Sequence, residues 1–411
     1  MQTVACPAAP TATVARVVGR PNPPVGPLDG LLVVDFSRVL AGPFATMLLA
    51  DLGARVIKIE RPGLGDDSRA FGPFLDGPDG RNSLYFARVN RGKQSLTVDL
   101  KSKADRPLLL AMIDRADVVV ENFRPGVMDR LGLDYTTLAA RNPGLVYASI
   151  SGFGQSGPLR LKPAYDAVVQ AMSGVMSITG EAEGTPAKPG VPISDIAGGL
   201  YTFGAITAAL LGRARSGVGS YIDIAMYDST LSLLESAGLS YLATGVQPPR
   251  IGNAHFSIAP FDTFACADRS IVICAANDVL FRRLCRVLDR PELITDVRYA
   301  SNEGRFDHRE ALKADMESTL QQRAAEDWLA ELDRAGVPCS LILDVAEALG
   351  GAQAQARQMV VHSGGLPVLG NPIKMSAYPD PPERPPAPDL DADRVALVAE
   401  FLPPAGQPPT A

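Results

Sequence analysis

Residues 30–60 read GLLVVDFSRVLAGPFATMLLADLGARVIKIE. Gly30–Ser37 is a short apolar run and reads as a buried strand. Pro43–Leu52 has apolar residues on several faces and reads as a helix, and Ala54–Glu60 is strand again. Together they make one β-α-β unit of ordinary size. Working outward, Ser95–Leu100, Asp117–Glu121, Leu145–Ser151 and Tyr221–Ala225 are further strands, with helical stretches between them. Such alternation implies an α/β fold, a parallel sheet covered on both faces, with ligands at the carboxyl ends of the strands.

The chain has 411 residues, too many for one ordinary core, so about two or three domains are expected. Residues 1–28 are rich in Ala, Pro and Val, with six prolines and no serine; they read as a disordered extension rather than a transit peptide. The large domain takes 29–226 and a linker helix 227–249. A small domain occupies 250–335, opening with a hairpin over 261–275 that turns near Asp268. A connector, 336–344, leads to 345–405, which ends in a proline-rich stretch and a terminal segment.

The formal net charge of −6 gives nucleic-acid binding no electrostatic support, so an anionic substrate needs a local basic pocket. Five cysteines with no C-x-x-C pair argue against a disulfide scaffold or structural zinc, and point to a reducing cytoplasm. The three histidines lie far apart and no metal-ligand spacing appears, so no metal is expected. The longest uncharged run, Ile196–Gly212, carries four glycines and reads as a buried helix, not a membrane span.

Five clusters carry chemistry. Val39–Pro43 (VLAGP) follows the first strand, where a small-residue turn lets a ligand approach a helix N-terminus. It lacks the G-x-G-x-x-G spacing of a dinucleotide site. Arg61, at the end of the next strand, suits a phosphate or a plain surface turn. Glu121–Gly126 (ENFRPG) also lies past a strand; Asn122 offers a donor and an acceptor, and Phe123 a flat face or a cap on the core. Asp195 stands at the start of the long apolar helix, where the helix dipole and free N–H groups favour its ionised form. Taken alone it fits a plain N-cap as well as a nucleophile. Gly252–His255 (GNAH) is a polar loop able to close over a reacting centre.

In order and spacing, these segments resemble the class III (CaiB/BaiF) CoA-transferase family, the group of formyl-CoA transferase, carnitine CoA-transferase and α-methylacyl-CoA racemase. The matching runs include VVDFSRVLAGPFATMLLADLGARVIKIERPGLGDD, ADVVVENFRPGVMDRLGL, PISDIAGGLYTFGAITAALLGR and GNAHFSIAPFDTF. The resemblance implies a Rossmann-like large domain built from both chain ends, a small α+β domain and an interlocked homodimer. It places the catalytic aspartate on Asp195 and CoA contacts on Val39, Ala41, Arg61, Val98, Lys101, Asn122, Phe123, Arg130 and Lys162. Gly252, Asn253, Ala254 and His255 match the substrate loop. The implied partners are an acyl-CoA and a small carboxylic acid, with no membrane and no tightly bound cofactor.

The implied chemistry is attack by Asp195 on the donor thioester, a mixed anhydride, then an aspartyl-CoA thioester that the acceptor acid resolves. The segments look most like members using succinyl-CoA and dicarboxylates. A racemase of the same family is the alternative. Racemases pair a histidine with the aspartate, whereas Tyr165 stands at that place, and tyrosine is a poor base near neutrality. Asp278 lies near where racemases carry a further acid. The chain departs from the family pattern at Phe256, where a proline is usual, and at Leu390–Arg394, in place of a Leu-Gly-x-His-Thr run.

Overall fold

The computed structural model describes residues 26–77 and 80–402. Most of the expected extension, 1–25, and the terminal 403–411 lie outside the described residues. Six parallel strands form the main sheet: β1 Leu32–Asp35, β2 Arg55–Glu60, β3 Gln94–Thr97, β4 Val118–Glu121, β5 Val146–Ser151 and β6 Ser220–Ala225. Their spatial order is β3-β2-β1-β4-β5-β6. Val34 pairs with Ile57 on one side and with Val119 on the other. The chain therefore runs outward from β1 in one direction, then returns and runs outward in the other. The point of reversal, between β1 and β4, opens a crevice at the strands' carboxyl ends.

The strands are written as continuous apolar runs because both faces are covered. One face, with Leu32, Val34, Ile57, Leu96, Val119 and Tyr147, packs on the helix Arg106–Arg115 and on the helix Arg394–Phe401, whose Leu397 and Phe401 share this core. The other, with Val33, Val56, Val118, Val120 and Ala148, packs on α1 (Ala41–Asp51) and on a 24-residue helix, Ile193–Ser216. Both chain ends thus contribute to one core. The segment Leu390–Arg394 seals the outer edge of the sheet. The Asp393 carboxylate accepts from the Ser95 N–H (2.8 Å) and that of Asp391 from the Thr97 N–H (2.6 Å). Two edge donors that would otherwise face open solvent or a foreign strand are so occupied.

The helix Ile193–Ser216 differs from its expectation. It is long and apolar enough to cross a membrane by length and composition, but only one face is buried in the fold. Ala197, Gly198, Gly199, Thr202 and Ile206 are covered, while Leu200, Tyr201 and Leu211 are exposed. Gly199 is required on the covered face, since a Cβ there would lie 2.8 Å from the Ala41 carbonyl oxygen. The segment expected as one linker helix is two, Met226–Ser232 and Glu235–Thr244.

The expected hairpin is present, Phe261–Ala265 against Ser270–Cys274. A third antiparallel strand, Cys339–Leu341, pairs with Ser270–Cys274. It comes from the stretch expected to be only the 336–344 connector, a correction that follows from the need to pair the free side of that apolar strand.

Candidate active site

Loop 36–41 and loop 122–126, which leave neighbouring strands β1 and β4, build the site's frame. Asn122 locks them together: its Oδ1 accepts from the Arg38 N–H (2.8 Å) and its Nδ2 donates to the Arg38 carbonyl (2.7 Å). The next residue, Val39, has φ of +69°, a left-handed conformation that a β-branched side chain adopts only under constraint. The constraint is Asp66, which takes the Val39 N–H at 3.1 Å and is paired with the fully buried Lys58 at 2.8 Å. Burial alone would raise the Asp66 carboxyl, but Lys58 and hydrogen bonds from Ser68 hold it down to about 2. Lys58 also donates to the Ser37 carbonyl (2.8 Å), so one buried ammonium braces the turn from beneath.

This brace delivers the first turn of α1 to Asp195. Leu40, at the N-cap, gives no side-chain cap, Pro43 has no N–H, and the Phe44 N–H is used by Leu40. The amides of Ala41 and Gly42 are left at a helix N-terminus, a setting that favours negative charge. The Ala41 amide interacts with the Asp195 carboxylate and lowers its pKa. Gly42 must be glycine, since a Cβ would overlap Ser37 at 2.2 Å.

Asp195 is not the N-cap of its helix. It lies in the first turn, the third residue after Pro192, and the cap is supplied from helix Asp166–Met172. The Asp166 carboxylate accepts from the Ser194 N–H (2.9 Å) and faces the Asp195 N–H at 3.4 Å. The amides expected to keep Asp195 ionised are thus spent on a second carboxylate. Burial first, and Asp166 second, push the Asp195 carboxyl up to about 7, against smaller pulls from Arg88 and Ala41.

Asp195 opens into a cavity of about 270 Å³ together with Val39, Ala41, Asn122, Phe123 and Lys162. Arg61, Val98 and Lys101 line an adjoining cleft of about 200 Å³ with Ile59, Pro62 and Leu100. Arg38 and Phe123 belong to both, and the Arg38 guanidinium stacks over the Phe123 ring at 5.1 Å. The two form one path from an apolar cleft to the carboxylate.

Not every expected residue joins it. Arg130 is exposed on the helix Val127–Leu131, near Gly126, and lines neither cavity. Gly252, Asn253 and Ala254 line a separate cavity with Glu181, Arg250 and Lys313, while His255 packs on Phe256 and Phe261 at ring distances of 4.6 and 5.0 Å. Within one chain, this loop does not line the Asp195 cavity. Asp278 is taken up by the buried Arg305 (2.9 Å). Conversely, the cavity contains Arg38, Arg124 and Arg160, which sequence reasoning passed over, and Tyr165. Arg38 and Arg124 lay inside motifs already singled out. Among the described residues no cluster of His, Cys, Asp and Glu suits a metal ion.

The comparisons agree with this architecture. Residues 28–394 match the pattern of CoA-transferase family III. The chain is 51% identical over 385 residues to acetyl-CoA:oxalate CoA-transferase of Acetobacter aceti, covering 93% of this chain and 98% of that protein. It is 40% identical to succinate–glutarate CoA-transferase of Agrobacterium fabrum, covering 91% and 96%. The crystal structure of a CaiB/BaiF family protein from Brucella suis superposes with a TM-score of 0.83 at 42% identity, over 92% and 99% of the two chains. A parallel sheet with its switch-point crevice, a carboxylate at the end of that crevice and relatives of this closeness over nearly the whole length lead to one assignment: the chain belongs to CoA-transferase family III and is a class III CoA-transferase.

Proposed function

We propose that the enzyme moves CoA from an acyl-CoA of the succinyl type to a small dicarboxylic acid, with Asp195 as the covalent relay. The observation that carries this reading is the position of Asp195, at the end of a path that begins in an apolar cleft and closes on a carboxylate beside a free helix N-terminus. In this reading the nucleotide end of CoA enters by the cleft lined by Arg61 and Lys101, and the pantetheine arm runs past Phe123. The ionised Asp195 attacks the thioester carbonyl, releasing CoA thiolate and forming a mixed anhydride. The thiolate then attacks the aspartyl carbonyl and expels the donor acid. The acceptor carboxylate repeats the two steps in reverse, so thioester energy is conserved. The oxyanions formed at each step face the amides of Ala41 and Gly42.

The relatives that act on oxalate and on succinate with glutarate support a dicarboxylic acceptor. Exposed apolar residues on the helices Ile193–Ser216 and Glu235–Thr244, among them Leu200, Leu211, Leu239 and Leu242, support a homodimer that covers them. The four described cysteines are free thiols, in keeping with a cytoplasmic enzyme.

The test is a panel of acyl-CoA donors and free acids, with intact mass recorded after donor addition. An adduct on Asp195 that hydroxylamine removes is the expected result. Asp195→Ala protein exchanging CoA at the normal rate would overturn the mechanism.

A further inference from the structure

A buried carboxylate and a buried ammonium meet beneath the first turn of α1. Asp35, the last residue of β1, and Lys93, which precedes β3, pair at 3.1 Å with both side chains at 0% exposure. One Asp35 oxygen takes the Ser37 N–H (2.9 Å) and hydroxyl, and the other takes the Thr46 hydroxyl (2.7 Å) and Lys93. The Lys93 ammonium has three N–H donors and three acceptors: Asp35, the Asn90 side-chain oxygen (2.9 Å) and the Pro43 carbonyl (3.1 Å). Burial pulls this ammonium down to about 8, with Asp35 resisting and Lys58 adding to the fall, so it is still charged at neutral pH. A buried pair of this kind adds little stability over apolar residues of the same volume. What it fixes is position. The three acceptors belong to β1, to the first turn of α1 and to the last residue of the helix Leu84–Asn90. That helix packs Val89 against Leu40, Met47 and Leu48, and it carries Arg88, whose charge lowers the Asp195 carboxyl. Pro43 follows directly on Ala41 and Gly42, whose amides open the helix beside Asp195. One ammonium therefore joins the strand, the helix turn that faces Asp195 and a second helix that acts on it.

We propose that Lys93 is a positioning residue for CoA transfer, its three-way tie holding the Ala41 and Gly42 amides in the orientation that meets the oxyanion formed when Asp195 reacts. This rests on the covalent reading above. Lys93 lines neither cavity of the acyl-CoA path, so it acts through the turn and not on the substrate. Donors aimed at charge that develops only in the transition state act on kcat, while binding of the acyl-CoA uses other walls. Without the contact to Pro43 the first turn of α1 is free to rotate away from Asp195, and preorganisation is lost before affinity is.

The experiment reads kcat, KM and the single-turnover rate of adduct formation on Asp195 with succinyl-CoA at neutral pH. Lys93→Met keeps the bulk of the side chain and removes its donors. It should lower kcat and the adduct rate roughly tenfold or more and leave KM for succinyl-CoA unchanged. Asp51→Asn is the control for lost stability alone, because it weakens the buried pairs with Arg91 (2.6 Å) and Arg384 (3.0 Å) at the far end of the same helix. It should lower the melting temperature and leave kcat unchanged. If Lys93→Met does not fold, the double variant Asp35→Asn with Lys93→Met strands no charge and carries the same expectation. A normal kcat and adduct rate in the Lys93 variants, a loss that appears as a rise in KM, or an equal fall of kcat in Asp51→Asn would overturn the proposal alone. Absence of any adduct on wild-type Asp195 would overturn the covalent reading, and the proposal with it.

Discussion

Asp166 caps the helix that carries Asp195, its carboxylate accepting from the Ser194 N–H at 2.9 Å and facing the Asp195 N–H at 3.4 Å. Asp195, the proposed nucleophile, thus shares a helix N-terminus with a second acid, and loses to it the amides that would have stabilised its own charge. Burial, and then that sharing, pushes its carboxyl up to about 7. A carboxylate of raised basicity is a stronger nucleophile once ionised, and near neutrality a substantial fraction is ionised.

The pH profile of the reaction should record this. With the reactive form ionised, kcat/KM rises about tenfold per pH unit below about 7 and levels off above it. Asp166→Asn keeps an oxygen acceptor for the Ser194 amide but removes the like charge. The acid limb should then move to lower pH, as measured by kcat/KM between pH 5 and pH 9. An unmoved limb would remove Asp166 from the account.

The same group governs stability. The folded enzyme holds the Asp195 proton up to about 7, against 3.8 for an ordinary aspartate, so the folded state binds more protons between those values. Stability contributed at this site therefore falls as pH rises through that window. Asp195→Asn should be the more stable protein at pH 8, by roughly 1–3 kcal/mol in denaturant unfolding, and lose transferase activity. At pH 4 the two proteins should unfold at nearly the same denaturant concentration.

Asp66 acts with the opposite sign. Held down to about 2 in the fold, it contributes stability above the usual aspartate range and loses it as pH falls through about 4 toward 2. Asp66→Ala strands the buried Lys58 and frees the Val39 amide; breaking a buried pair in this way costs about 3–5 kcal/mol. Chemical denaturation at pH 7 measures the loss, and KM for the acyl-CoA should rise with it, because the turn at residues 38–41 is no longer held.

At Val39 the φ of +69° separates two small substitutions. Val39→Gly relieves the backbone and Val39→Ala does not, so the glycine variant should be the more stable of the two by about 1 kcal/mol. Both should bind acyl-CoA more weakly than the wild type, since both remove a wall of the Asp195 cavity. Thermal unfolding of the pair, read beside KM, checks the assignment of strain to this residue.

Gly199 sets the distance between the two helices that meet at the site. Gly199→Ala places a methyl group 2.8 Å from the Ala41 oxygen and 2.9 Å from the Phe44 ring. The expected cost is about 1–3 kcal/mol, with a fall in kcat as α1 is pushed away from Asp195. Gly212→Ala on the same helix meets nothing within 4 Å and should be neutral or stabilising by up to about 1 kcal/mol.

The sheet was legible in the sequence because each of its inner strands is buried on both faces and is written as an unbroken apolar run, as in Leu32–Asp35 and Val118–Glu121. The motifs after β1 and β4 were legible for the same reason: a turn after such a run must fall at the carboxyl edge of a parallel sheet. Asp195 was marked by its place at the start of the long apolar helix. What local pattern does not encode is which loops meet. Asp166 is a weak signal in its own segment and acquires its role only when its helix is laid against that of Asp195. The small sheet took its third strand, Cys339–Leu341, from a stretch with little strand pattern, because an unpaired strand edge was there to receive it.

The order of elements and the two-sided core were determined by the sequence alone, through periodicity, and Asp195 was proposed from residues in known arrangement. The tertiary structure alone decided that Arg124 and Arg160 line the Asp195 cavity while Arg130 does not, that Gly252–Ala254 line a different cavity, and that the acidity of Asp195 is set near neutrality. These depend on distances between side chains that stand far apart along the chain, and electrostatic energy and access follow those distances, not the spacing in sequence.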